Sequence, residues 1–275
     1  MVDYNNFDDM AESLGQDTGP QGSEGRLPTI KVNSDVIEKN GETVVNPGCF
    51  VLDYEGTKIY AKTVTFRPYI NVYQYRLYNA ANPKESISSI LIKNFKEEAI
   101  DEAGGLRCGK LTKAEVESIP EDKRVDADNG ARTYRVIYGT VSMNGVAEDG
   151  AKVKVHNYPA QFQLRGSNFM PFGEVLQALT KNRKLMYNFE FTVSLQRKKQ
   201  GAVTYYVLQF DTDMNNSIPF KEEDAAILGK FEELIKVVNK RVTDKYNKLQ
   251  NAKAANASRK KAADELNDSL EFLTA

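Results

Sequence analysis

Lys152-Val153-Lys154-Val155-His156-Asn157-Tyr158 alternates two kinds of residue with a period of two, which is the period of a β-strand. Val153 and Val155 share one face, while Lys152, Lys154, His156 and Tyr158 share the other. Such a strand lays one side on a core and turns a cationic, aromatic side to water. Outward from it, between Leu27 and Asp213, short runs rich in Val, Ile, Thr, Tyr and Phe recur. They are Thr29 to Val32, Cys49 to Tyr54, Lys58 to Phe66, Tyr69 to Tyr78, Ser86 to Lys93, Arg132 to Met143, Lys152 to Arg165, Phe189 to Arg197 and Val203 to Phe210. Glu55-Gly56, Asn144-Gly145 and Gln200-Gly201 read as turns between strands. The pattern predicts a mainly β body over 28–215.

Two other patterns flank or interrupt the strands. Ser167 and Asn168 suit the cap of a helix from about Pro171, with Phe172, Val175, Leu176 and Leu179 along one packing face. Thr112 to Asp122 has a weaker helical pattern. After Pro219, Ala225, Ile227, Leu228, Phe231, Leu234, Ile235, Val238, Val242, Tyr246 and Leu249 form a stripe at helical spacing. This predicts one long amphipathic helix over 219–250, lying on the body, with self-association through the same stripe as the other use for it. Residues 251–275 read as a small, polar linker or frayed helix leading to an acidic tip.

The formal charge of −1 over 275 residues conceals a strong asymmetry. Residues 1–27, rich in Asp, Asn, Gly, Ser and Gln, carry six acids against Arg26 and read as a disordered acidic tail. The last thirteen residues carry four acids and no base, which leaves +8 on 28–262. The body is basic and its tails are acidic.

Several function classes find no support. Cys49 and Cys108 are isolated, and His156 is the single histidine, so neither a disulfide framework nor a zinc cluster is expected. The isolated cysteines fit a reducing compartment. The N-terminal stretch has no apolar run and so no secretory signal or transit peptide is expected, which points to the cytoplasm, the host's if the protein is viral. No stretch suits a membrane span, and no cofactor is expected. No phosphate-binding loop or nucleophile elbow is present, so catalysis is not expected. Glu97, Glu98, Asp101 and Glu102 form an acidic run, which leaves a metal-dependent nuclease as one alternative. A virion or scaffold protein, with tyrosines in the sheet core and the helix assembling copies, is the other.

The stronger constellation is aromatic and basic. Lys58, Tyr60 and Lys62 repeat the arrangement of Lys152, Lys154, His156 and Tyr158, and so do Arg132, Tyr134 and Tyr138. Arg67, Tyr73 and Arg76 fall in the run between 66 and 78, and Arg197, Lys198 and Lys199 lead into a hairpin tip. Single-stranded nucleic acid needs this pairing, because bases stack on aromatic faces while cations follow the phosphates. Asp264, Glu265, Asp268, Leu270, Glu271 and Phe272 add a short acidic, leucine-bearing tip suited to partner proteins.

The basic, tyrosine-rich β-body and the acidic tip at 264–273, with Phe272 near its end, together resemble the single-stranded DNA-binding proteins of bacteriophages and bacteria. The long helix and the acidic N-terminus depart from that layout. The resemblance implies an OB-like barrel, or a twisted antiparallel sheet, with a packing helix and a long C-terminal helix. It also implies single-stranded DNA as ligand, a role in replication or recombination, and recruitment of replication or recombination proteins through the tip.

Overall fold

The computed structural model describes residues 27–274 apart from positions 80, 83–84 and 125–126, and for 258–274 it describes the backbone alone. The expected acidic tail thus lies, up to residue 26, outside the described residues. Eleven strands are described: β1 Thr29–Asn33, β2 Ile37–Lys39, β3 Glu42–Val45, β4 Cys49–Tyr54, β5 Thr57–Ala61, β6 Val64–Leu77, β7 Ile87–Ser88, β8 Arg132–Ala147, β9 Lys152–Leu164, β10 Phe191–Gln200 and β11 Val203–Asp211. Three α-helices accompany them: α1 Lys113–Glu117, α2 Phe169–Lys181 and α3 Glu222–Thr274. The mainly β class, the packing helix and the long C-terminal helix expected from the sequence are all present.

Five strands close into a barrel in the order β1, β4, β5, β8, β9 and back to β1. Strands that simply alternate in direction cannot close an odd ring, so one pair must be parallel. It is β1 with β9, through Thr29 to Gln161 and Ile30 to Phe162. Phe50, Leu52, Ile59, Phe66, Ile137, Val141 and Phe162 fill the interior, with Phe66 and Phe162 meeting edge to face at 4.9 Å. A closed barrel with the dimensions of five strands fits the OB-like expectation.

β5 and β6 follow β8 as one bent line. Tyr60 pairs with Val146 and Thr65 with Ser142, so five steps on one side span four on the other. That extra residue bends the line out of the barrel wall. β6 then carries β10 and β11 as an extension of the sheet. α2 lays Phe172 and Leu179 into the barrel core, as its spacing predicts. Asn168 does not cap it by its side chain. Its amide instead meets β11, accepting from Leu208 N at 2.8 Å and donating to Tyr206 O at 3.3 Å.

One turn expectation needs correction. Asn144-Gly145 is no turn, for it lies inside β8, and the chain reverses at 147–150 instead. Gly145 is required there by close approach: a Cβ would stand 2.5 Å from Tyr60 O and 2.7 Å from Ile59 Cγ2. Of the two readings of 251–263, a linker or a continuation of the helix, the backbone takes the helical one, since α3 continues to Thr274.

α3 lies across the outer face of β6 and β8. Phe231 sits 5.9 Å from the rings of both Tyr69 and Tyr138, with Ile227, Leu228, Leu234, Ile235 and Val238 packed around it. Its first turn is pinned by Asp224, which takes both terminal nitrogens of Arg67 at 2.8 and 3.0 Å and the Tyr69 hydroxyl at 2.7 Å. Further along, Asn239 exchanges two hydrogen bonds with the backbone of Leu91, and Lys245 pairs with Glu102 at 2.9 Å. Among the described residues no helix is long and apolar enough to cross a membrane.

Candidate nucleic-acid interface

The outward positions of β8 are 132, 134, 136, 138, 140, 142, 144 and 146, and ladder pairing carries that face onto the neighbouring strands. Gln74 and Arg76 of β6 stand opposite Tyr134 and Arg132, and Gln163 of β9 stands opposite Val136. At this end Tyr134 lies between two guanidiniums, Arg76 at 4.8 Å and Arg165 at 5.7 Å from its ring. Arg76 donates to Gln74 Oε1 at 2.6 Å and to Gln163 Oε1 at 2.7 Å. Burial lowers its pKa below the usual arginine value. Arg132 remains exposed and meets Asp128 at 3.1 Å.

A groove of about 660 Å³ opens around the start of β8, lined by Phe95, Lys110, Arg132, Thr133, Arg165, Gly166, Ser167, Phe169 and Met170. Three cations and three apolar side chains line it, and no carboxylate does among the described residues. Phe95 is 53% exposed, and beneath it the ring of Tyr73 lies 4.2 Å away. Arg135 is buried behind both, 5.1 Å from the Tyr73 centroid and 4.8 Å from that of Phe169. It also donates to Phe169 O and Asn71 Oδ1, each at 3.2 Å. Burial, with Arg132 second, lowers the Lys110 pKa.

The other end of the face is built from lysine. Val146 pairs with Tyr60 on one side and Lys152 on the other, so β5 and β9 flank β8 at about 10 Å from each other. Lys62, Lys152 and Lys154 line a groove of about 610 Å³ with Tyr60, Ala61, Thr63, Asn144, Gly145, Val146 and Val153. An adjoining hollow of about 170 Å³ takes in Lys154, His156 and Thr192. Lys58 is exposed and pairs with Glu148 at 3.4 Å.

The tyrosines expected beside these lysines do not lie open. Asn157, at φ 48°, is a bulge: Val141 pairs with Tyr158 but Met143 with Val155. The alternation resets there, so Tyr158 turns inward against the barrel core, its ring 4.8 Å from that of Tyr54. Tyr60 points outward but is only 4% exposed, enclosed with Val45 and Cys49 where β2 and β3 fold over it. Its hydroxyl donates to Glu148 at 2.9 Å, and burial, then Glu148, push its pKa up to about 12.

Other expected residues are spread over the molecule. Tyr138 is 3% exposed beneath Phe231, and burial pushes its pKa up to about 12. Arg67 is occupied by Asp224 and by the carbonyl of Tyr187. Arg197, Lys198 and Lys199 are exposed on the hairpin of β10 and β11, where β6 pairs with β10 only at 191–193. Lysine and arginine on such a free edge also keep other strands from pairing with it. Asp264, Glu265, Asp268, Leu270, Glu271 and Phe272 fall on the last turns of α3, and their side chains lie outside the described residues.

The acids of the nuclease alternative serve separate local structures. Asp101 accepts from the backbone of Ala103, Gly105 and Cys108, each at 2.9 Å. Glu102 takes Ser88 N and Lys245, and Glu97 takes Asn94 and Lys93 N. Among the described residues no group of three or more His, Cys, Asp or Glu side chains is arranged to hold a metal ion. Phe95, Lys110, Arg165, Phe169 and Met170 were not foreseen, since they come from three separate segments, around 95, 110 and 165–170, that only the fold gathers. Comparison with known proteins finds no family model, no curated protein and no solved structure that matches this chain.

Proposed function

We propose that this protein binds single-stranded DNA without reading its sequence, acting in DNA replication or recombination. The observation that carries the reading is the arginine-bearing start of β8, where the outer face and the groove at the strand's edge meet. Tyr134 lies between Arg76 and Arg165, beside a groove where Arg132 and Lys110 surround the exposed Phe95. Aromatic faces for bases and cations for phosphates meet there with no carboxylate lining the groove, which is the pairing that sequence-independent strand binding requires. The acidic tip at 264–272 then serves as the handle for replication or recombination proteins.

A titration of oligo-dT followed by tyrosine fluorescence tests this. Oligo-dT is expected to quench the emission, duplex is not, and the affinity falls steeply with salt. Phe95→Ala should weaken oligo-dT binding by about 1 to 3 kcal/mol, the worth of one stacked base. Arg165→Glu should lower the salt slope by about one. Absent or salt-insensitive binding would sink the reading. A second reading, a scaffold or virion component, draws on α3, whose 53 residues span about 80 Å. A discrete large oligomer without nucleic-acid affinity would favour it.

A further inference from the structure

The start of β8, with the groove at its edge, and the far end of its outer face are both basic, and these two ends differ in kind. The arginine end has a ring to offer bases, the exposed Phe95 in the groove, and Arg165, one of the two guanidiniums stacked on Tyr134, lines the same groove. The lysine end has cations without open rings, because the bulge at Asn157 turns Tyr158 into the core and β2 and β3 enclose Tyr60. What Lys62, Lys152 and Lys154 present is positive charge over shallow hollows, with His156 beside Lys154 as a further polar group. Phosphates can be held there, but bases find nothing to stack on.

The ends are also separated. Asn144 lies ten residues beyond Tyr134 along β8, about 33 Å of strand. α3 covers the middle of that interval. The cation midway, Arg67, is already neutralised by Asp224. Glu222 and Glu223 stand exposed in the same first turn of α3 and add negative charge beside the direct path. A phosphate chain passing straight from one end to the other meets these acids and the mixed-charge flank of α3, with Lys221 beside them, rather than a continuous cationic track.

We propose that the lysine end is a second, separate site that takes the phosphate backbone of duplex nucleic acid while the arginine end holds a single strand. This rests on the single-strand reading of the arginine end given above. One chain then sits where single-stranded and double-stranded segments meet, with each form held by the chemistry that suits it. Phosphate contact alone is indifferent to base pairing, whereas stacking demands unpaired bases.

The test is a ternary-complex measurement on the full chain. The protein is first saturated with oligo-dT, monitored by tyrosine quenching, and a dye-labelled blunt duplex is then titrated by anisotropy at low salt. Native mass spectrometry counts the molecules in the complex. The expected result is one chain carrying one oligo-dT and one duplex. Lys152→Glu with Lys154→Glu should weaken duplex binding by about tenfold or more, in a salt-dependent manner, and leave oligo-dT quenching unchanged. Phe95→Ala should do the reverse. Displacement of oligo-dT by duplex, or parallel weakening of both ligands by the lysine changes, would mean one shared site and overturn the proposal. If oligo-dT fails to bind while duplex still does, the single-strand reading falls and the lysine site stands alone.

Discussion

The two halves of β8 carry the same kind of alternation and meet opposite fates. In the first half, the outward Val136 and Tyr138 are sealed beneath Phe231 of α3. In the second half, the outward Asn144 stays exposed beside Lys152 and Lys154. Both halves face the barrel core on their other side through Ile137, Val141 and Met143. What separates them is an element that arrives about ninety residues later in the chain. An outward residue is therefore a ligand-facing residue only where nothing later folds over it.

Removing the cover gives the largest expected effect. Phe231 touches both Tyr69 and Tyr138 from a fully packed position, so Phe231→Ala should cost about 3 to 5 kcal/mol in urea unfolding. Lys154→Ala, on the bare half, should stay within about 0.5 kcal/mol. Equal costs at the two positions would break the contrast between covered and bare halves.

The pin that holds the cover comes next. Burial alone would raise the pKa of Asp224, but the Lys221 N–H, the Tyr69 hydroxyl and the Arg67 guanidinium outweigh it and hold the carboxyl below its usual range. Asp224→Ala leaves Arg67 with no charged partner in a nearly buried setting and should cost about 3 kcal/mol. The sign of the pH dependence follows from a folded-state pKa that is depressed. The contribution is complete above the unfolded carboxyl value near pH 4 and is lost as pH falls through the lower folded value. The stability gap between the parent and Asp224→Asn, measured by urea unfolding, should therefore narrow between pH 7 and pH 3. A gap that widens toward acid would show that the carboxylate is not what holds the helix.

Much of this was legible in the sequence, and the failures share a cause. Period-two alternation located the strands, and the stripe from Ala225 to Leu249 located α3, because both signals are local. Neither signal states which sheet face the helix covers, so Arg67 and Tyr138 read as open when they are occupied. Tyr158 was misjudged through one residue: Asn157 tolerates the left-handed backbone a bulge needs, and one added residue reverses the face of everything after it. Phe95, Lys110 and Arg165 come from three segments that meet only in space, so no pattern in any one of them announces a groove.

The smallest effect concerns why the bare half remains a strand at all. Asn144-Gly145 carries a strong turn signal, yet β8 runs through it, and the two accounts of the pair predict different mutants. In a two-residue turn both positions matter, since each must adopt a backbone conformation that Asn and Gly favour. In the barrel wall only Gly145 matters, because its missing Cβ lets β5 approach until Tyr60 O stands 2.5 Å from where that atom would be. Backbone on the opposing strand cannot swing aside as the end of a long side chain does, so Gly145→Ala must push β5 and β8 apart where the barrel closes. Its cost should be about 1 to 3 kcal/mol by thermal or urea unfolding. Asn144→Ala, exposed beside it, should change stability by less than about 0.5 kcal/mol. Comparable losses at both positions would restore the turn and open the barrel between β5 and β8.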